Sequence, residues 1–286
     1  MANPLVFTTT DIKNNSEQGD LVTIPLVLIH GWGLNSGVWQ PLVEALSESL
    51  SYSPQVQFKL ITIDLPGFGL NANQQVMPYT LEQIAERVTA TINEPAIYLG
   101  WSLGGLVATQ ISLNYPQKVL GLITVASTPC FLSDENEPVW PGIKGVVLKA
   151  FYQQLQNDIE KTIKGFLKIQ AMGSPSLRQD IKHLTALIMN FDLPSKITLE
   201  QSLDLLKTSD LRTELSAIKA PLLQLYGQTD SLVPKQVIPL IKTLNTNSEQ
   251  HVFLKASHAP FISHLDDFTK VLTNWLVRTF SKSEQE

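Results

Sequence analysis

Four short, almost unbroken apolar runs alternate with stretches of helical patterning in the first half of the chain. "LVTIPLVLIH", "FKLITIDLPG", "AIYLGW" and "VLGLITVAS" are the runs, and "SGVWQPLVEALSESL", "TLEQIAERVTATI" and "GGLVATQISLNYP" lie between them. Antiparallel strands with one wet face alternate apolar and polar residues. Continuous apolar runs spaced by helices instead read as a parallel sheet covered on both faces. Thr80 stands where a helix N-cap is needed, and Pro116 stops the third helix.

The rhythm breaks after Ser127. From about Pro129 to Thr208 the pattern is helical, with no buried strand. Strand runs return at "APLLQLYG" and "EQHVFLKAS", and "DDFTKVLTNWLVRTF" reads as a last helix. The expected organisation is an α/β core in two parts, 1–128 and 209–286, interrupted by a helical lid at 129–208. An insertion at the carboxyl ends of the strands would cover the place where such sheets bind ligands. With 286 residues and 43% hydrophobic content, one such domain can bury a full core.

Charge and cysteine usage narrow the function classes. A net charge of −5 gives no reason to expect nucleic acid. Cys130 is alone, so no intramolecular disulfide is possible. The first residues lack a basic start followed by an apolar stretch, and no apolar run reaches about 18 residues. A cytoplasmic monomer with no membrane contact is the expectation.

Four motifs carry chemistry. Gly100-Trp101-Ser102-Leu103-Gly104 sits between a strand and a helix, the setting of a serine held on a tight bend. Small residues are needed there because the strand reverses sharply into the helix. His30-Gly31-Trp32-Gly33 ends an apolar strand. Its loop can offer the backbone of Trp32, beside that of Leu103, to a developing oxyanion. His30 itself is expected to fix the loop. Asp230 follows "PLLQLYG", and His258 follows "HVFLKAS". The order is therefore Ser102, Asp230, His258: nucleophile, orienting acid, general base.

Weaker candidates stay beside these. His264 is expected to open the last helix, and His183 and His251 lack a strand-end setting. Asp64 is an alternative acid at a strand end, but it precedes a Pro-Gly turn that it can serve structurally. Asp204 and Asp210 fall in or beside the insertion. A metal-ligand spacing and a phosphate loop are both missing, so no cofactor and no metal are expected.

Together, "HGWGLNSGVW", "IDLPGFG", "GWSLGGLVA", "VASTPCF", "LYGQTDSLVP" and "KASHAPFISH" resemble the α/β-hydrolase superfamily, from about Leu26 to Leu276. They look closest to the carboxylesterases that cleave pimeloyl-acyl carrier protein methyl ester in biotin synthesis. "WPGIK" and "FLKIQAMG" strengthen this likeness. The resemblance implies substrate contacts at Trp32, Ser102, Leu103 and His258. It implies an acyl channel lined by Phe166, Leu167, Lys168, Ile169 and Gln170. It also implies an acidic acyl-carrier protein as the partner that carries the substrate.

Spacing adds a modest independent argument. Lys161, Lys164 and Lys168 share a helical face, and Arg178 and Lys182 form a second basic pair. An ordinary solvated face has the same pattern. Read with the resemblance, it becomes a docking face, although Gly165 stands where the family offers another basic residue. A general small-molecule esterase or a carbon–carbon bond hydrolase would share every triad motif. A haloalkane dehalogenase would need Asp at Ser102, and a non-catalytic binding protein would not need the full set.

Overall fold

The computed structural model describes residues 4–12, 22–51, 56–136, 138–171 and 177–281. Seven strands form one sheet: β1 Phe7–Asp11, β2 Thr23–Ile29, β3 Gln57–Ile63, β4 Ala96–Trp101, β5 Val119–Val125, β6 Leu222–Gly227 and β7 Glu249–Phe253. Their order is β1-β3-β2-β4-β5-β6-β7. Every pair is parallel except β1 with β3. The mostly parallel α/β sheet expected from the apolar runs is what forms.

Burial follows the sequence runs. Every residue of β4 and β6 is buried, as is β2 from Pro25 onward. Helices α1 Gln40–Leu50, α2 Leu81–Thr91 and α3 Leu103–Asn114 connect the first strands. Thr80 caps α2, its side chain accepting from the Gln83 amide at 3.3 Å. Ten consecutive residues of α3, Leu103 to Ser112, are buried. This helix is wrapped by protein on nearly all sides, which explains its weak amphipathic pattern.

After β5 the chain leaves the sheet for four helices: α4 Gly145–Asn157, α5 Ile159–Ala171, α6 Leu177–Ile188 and α7 Lys196–Thr208. It then returns to β6, and α8 Val237–Leu244, α9 Pro260–Ser263 and α10 Leu265–Phe280 complete the described elements. The outgoing and returning connections are laced together. Leu211 N–H donates to Pro129 C=O at 2.9 Å, and Cys130 and Asp210 form a β-bridge. Arg212 clamps Asp210 with Nε and Nη2 at 2.7–3.0 Å and lies 5.2 Å from the Trp140 ring centre.

Strand β1 was not expected. It has no buried apolar run; its residues Thr8 to Thr10 are β-branched and largely exposed. It closes the sheet edge antiparallel to β3, and propensity alone marks it. Among the described residues, no helix is long and apolar enough to cross a membrane.

Candidate active site

The sequence-predicted residues come together at the carboxyl ends of the parallel strands. Ser102 follows β4, Trp32 follows β2, Asp230 follows β6 and His258 follows β7. Ser102 has φ 55° and ψ −118°, a left-handed conformation that L-residues seldom adopt. The strained bend carries the chain directly into α3. Ser127 supports it by donating its hydroxyl to the Ser102 carbonyl at 2.8 Å. Leu103 is the first residue of α3, so its amide is one of those a helix start leaves without a partner inside the helix.

The loop after β2 lies against the bend. A Cβ on Gly31 would stand 3.3 Å from Ser102 Cβ and 3.3 Å from the Trp101 ring. His30 holds this loop as the sequence suggested. Its Nδ1 donates to Gly31 C=O at 2.8 Å, and its Nε2 accepts the Leu65 amide at 3.0 Å. Burial holds the His30 pKa below the ordinary imidazole value, against the opposing pull of Asp64 and the Gly31 carbonyl.

Asp64 is occupied elsewhere. Its carboxylate accepts the Ser36 amide at 2.5 Å, the Ser36 hydroxyl at 3.1 Å and the Leu70 amide at 2.8 Å. The competing reading of Asp64 as the acid that orients the base therefore has no support. It ties the loop after β3 to the loop after β2.

Asp230 meets His258 instead. His258 Nδ1 lies 2.7 Å from Asp230 Oδ2, with both side chains buried. The other carboxylate oxygen accepts the amides of Leu232 at 2.8 Å and Val233 at 3.1 Å. With Asp230 accepting on both oxygens, His258 is the donor through Nδ1, the tautomer that leaves the Nε2 lone pair free. A Cβ at Gly227 would collide with the Ser257 carbonyl. Glycine there lets the strand end that leads to Asp230 lie against the loop that carries His258. Trp101, next to Ser102, donates its indole N–H to the His258 carbonyl at 2.8 Å.

Beside this pair, the two atoms that the chemistry needs are unpartnered. Ser102 Oγ and His258 Nε2 are both buried and both without a hydrogen-bond partner. Buried polar atoms usually find one, and orphans of this kind are what a reacting substrate would engage. The arrangement offers a hydroxyl, a tautomer-fixed base and helix-start amides in a buried site.

The inserted helices close this site with aromatic groups. The Phe166 ring stands edge-on to Trp32 at 4.8 Å and to Phe151 at 5.4 Å. Phe166, Leu167 and Gln170 are buried, and the side-chain nitrogen and oxygen of Gln170 lack partners. Lys168 is exposed. One helical turn cannot aim five consecutive residues the same way, so the expected channel lining does not extend to Lys168. The side chain of Ile169 lies outside the described residues. Lys161, Lys164 and Lys168 line an outer groove of about 470 Å³ beside Gly165, and Arg178 and Lys182 are also exposed. His264 stands at the N-cap position of α10 without a side-chain capping bond, its Nδ1 2.8 Å from Ser263 Oγ. Among the described residues, no group of three His, Cys, Asp or Glu is placed to hold a metal.

Sequence reasoning missed Ser127 and Asn35. Ser127 supports the bend, and Asn35 caps the short 3₁₀ helix Ser36–Trp39 by accepting the Gly37 amide at 3.1 Å. Ser127 meets backbone 25 residues away, which leaves no local motif, whereas the cap made by Asn35 is local and could have been read from an Asn two residues before a glycine.

The family model described as alpha/beta hydrolase fold matches residues 24–265. A pimeloyl-[acyl-carrier protein] methyl ester esterase of Citrobacter koseri is 44% identical over 86% of this chain and 91% of its own. One from a Shewanella species is 45% identical over 88% and 90%. Among solved structures, an esterase of Exiguobacterium antarcticum superposes with a TM-score of 0.76 at 23% identity, covering 95% of each chain. The enol-lactonase of Burkholderia xenovorans gives 0.74 at 18% identity, covering 94% of this chain and 96% of its own. These two likenesses speak for the fold. With the family model and the two relatives, they place the chain: it belongs to the alpha/beta hydrolase fold family, and within it to the group of the pimeloyl-[acyl-carrier protein] methyl ester esterases.

Proposed function

We propose that this chain is a serine carboxylesterase that hydrolyses the methyl ester of pimeloyl-[acyl-carrier protein], releasing methanol and the free carboxylate in biotin synthesis. The observation that carries the chemistry is the Asp230–His258 bond of 2.7 Å beside two buried, unpartnered atoms, His258 Nε2 and Ser102 Oγ. The substrate follows the names of relatives at 44–45% identity over most of the chain.

His258 Nε2 takes the proton of Ser102 as Oγ attacks the ester carbonyl carbon. Asp230 holds the imidazole and stabilises its cation. The Trp32 and Leu103 amides receive the oxyanion; loss of one such donor typically costs about 100- to 1000-fold in rate. The tetrahedral adduct collapses, the C–OCH₃ bond breaks, and His258 protonates the departing methoxide. A water activated by the same Nε2 then cleaves the acyl-enzyme. Ester and water are consumed, and acid and methanol are formed.

The helices of residues 129–208 act as a lid. Ser102 and His258 are fully buried beneath it, so substrate enters only when it moves. Phe166, Leu167 and Gln170 would face the acyl chain. The exposed cations Lys161, Lys164, Lys168, Arg178 and Lys182 would receive an acidic carrier protein. Lys164 is already paired with Glu160 at 2.5 Å, which weakens its share.

Methanol release from the carrier-bound methyl ester tests the reading. Purified protein should release one methanol per ester cleaved, and Ser102→Ala should release none. A wild-type protein inert on that substrate would remove the substrate assignment.

A further inference from the structure

The lid is joined to the core at the catalytic loops themselves. Asn35 Nδ2 donates to the Ile188 carbonyl at 3.0 Å. Trp32 Nε1 donates to the Leu199 carbonyl at 3.1 Å. The His258 amide donates to the Gln170 carbonyl at 3.0 Å. The three donors lie on the two loops that would present the oxyanion amide and the base. The three acceptors are main-chain oxygens of three separate lid helices, α7, α6 and α5.

Ile188 ends α6 and Gln170 is the second-last residue of α5, so neither carbonyl accepts an amide within its own helix; that of Ile188 also takes the Phe191 amide, just past the helix end, at 3.3 Å. All three donor residues are buried. A buried donor stripped of its acceptor is costly, so donors and acceptors hold each other in place.

Asn35 makes the connection specific. Its Oδ1 takes the Gly37 amide, which leaves Nδ2 to meet Ile188. One side chain thus fixes the turn after Trp32 and ties it to the lid across 153 residues. The packing there is close. A Cβ on Gly37 would come within 2.6 Å of the Leu187 carbonyl and 2.9 Å of the Phe191 ring. One on Gly33 would rest against Ile163 and Leu199, from two lid helices.

We propose that Asn35 is a positioning residue through which the closed lid holds the oxyanion loop in its working geometry. The lid is then part of the catalytic framework as well as a cover. A pure cover would matter only to substrates long enough to touch it. A framework matters to every ester, including one too small to reach Phe166.

This rests on Ser102 as nucleophile, and the test separates the two. Asn35→Ser keeps an oxygen that can cap the 3₁₀ helix but cannot span to Ile188. With p-nitrophenyl acetate, kcat should fall about 10- to 100-fold, the scale expected when a reacting group is slightly misplaced. KM and the melting temperature should stay near wild type. Affinity for an alkyl boronic acid, whose serine adduct places oxygen at the oxyanion position, should fall in step with kcat/KM. A merely structural role would not move that affinity. If Asn35→Ser does not fold, Gly37→Ala, which wedges the lid from the core, carries the same expectation for kcat and boronate affinity, with a lowered melting temperature. Wild-type kcat and boronate affinity in whichever variant folds overturns the proposal. Wild-type turnover that survives Ser102→Ala overturns the nucleophile reading instead.

Discussion

The sheet and the lid solve different problems with different materials. The strands that lead to Ser102 and Asp230 are wholly buried, and glycines let neighbouring backbones touch. The lid helices are amphipathic and carry lysines and an arginine on their outer faces; even valine is exposed there, as Val146 is at 70%. Chemistry needs positions fixed to a fraction of an ångström, which dense packing supplies. Selection and entry need a surface that can meet a partner and move. The two regions meet at three hydrogen bonds from catalytic loops to lid carbonyls, so the division is not complete.

Changes on the core side should cost the most. Ser102→Ala should reduce turnover of every ester by about 10⁴-fold or more, with an unchanged circular dichroism spectrum. Residual activity near wild type would break the assignment. Charge reversal on the lid should sort substrates instead. Lys161→Glu with Arg178→Glu should lower kcat/KM for carrier-bound ester by about 10-fold while small esters change little. The loss should shrink as salt is raised. Equal loss on both substrates would dissolve the contrast between the regions.

Smaller effects sharpen it. His30 in the core loop is held neutral by burial, with its pKa below the ordinary 6.5. Its contribution to stability is whole above that value. It is lost as pH falls from there through the lowered folded value, because the unfolded chain takes up a proton the fold refuses. The melting temperature should therefore drop between pH 7 and pH 5, and less so in His30→Gln. Asp64, the charged group beside His30, works against the drop. The smallest effect belongs to the lid base. Arg212→Ala removes the clamp on Asp210 and the contact with Trp140, a partly exposed network worth about 1 kcal/mol. Limited proteolysis should then cut first near residues 129–144.

Much of the core was legible because its residues must satisfy local backbone demands. Continuous apolar runs announce buried parallel strands. Ser102 is marked by the small residues its bend requires, and Asp230 and His258 by falling just after strands in the right order. What escaped depends on remote partners. Asn35 meets a carbonyl in another helix, and Ser127 meets the backbone of Ser102. Neither pairing leaves a pattern within a few residues. Strand β1 lacked an apolar run because an edge strand can stay exposed. Lys168 stands in the run of residues 166–170, which the helix divides between a buried and an exposed face.

The most direct test is covalent capture of the nucleophile. The protein is treated with a fluorophosphonate, digested, and its peptides are weighed. One adduct per chain on the peptide bearing Ser102, absent in Ser102→Ala and slowed in His258→Ala, is the predicted result. No adduct, or an adduct on another residue, would contradict the convergence of these loops on Ser102.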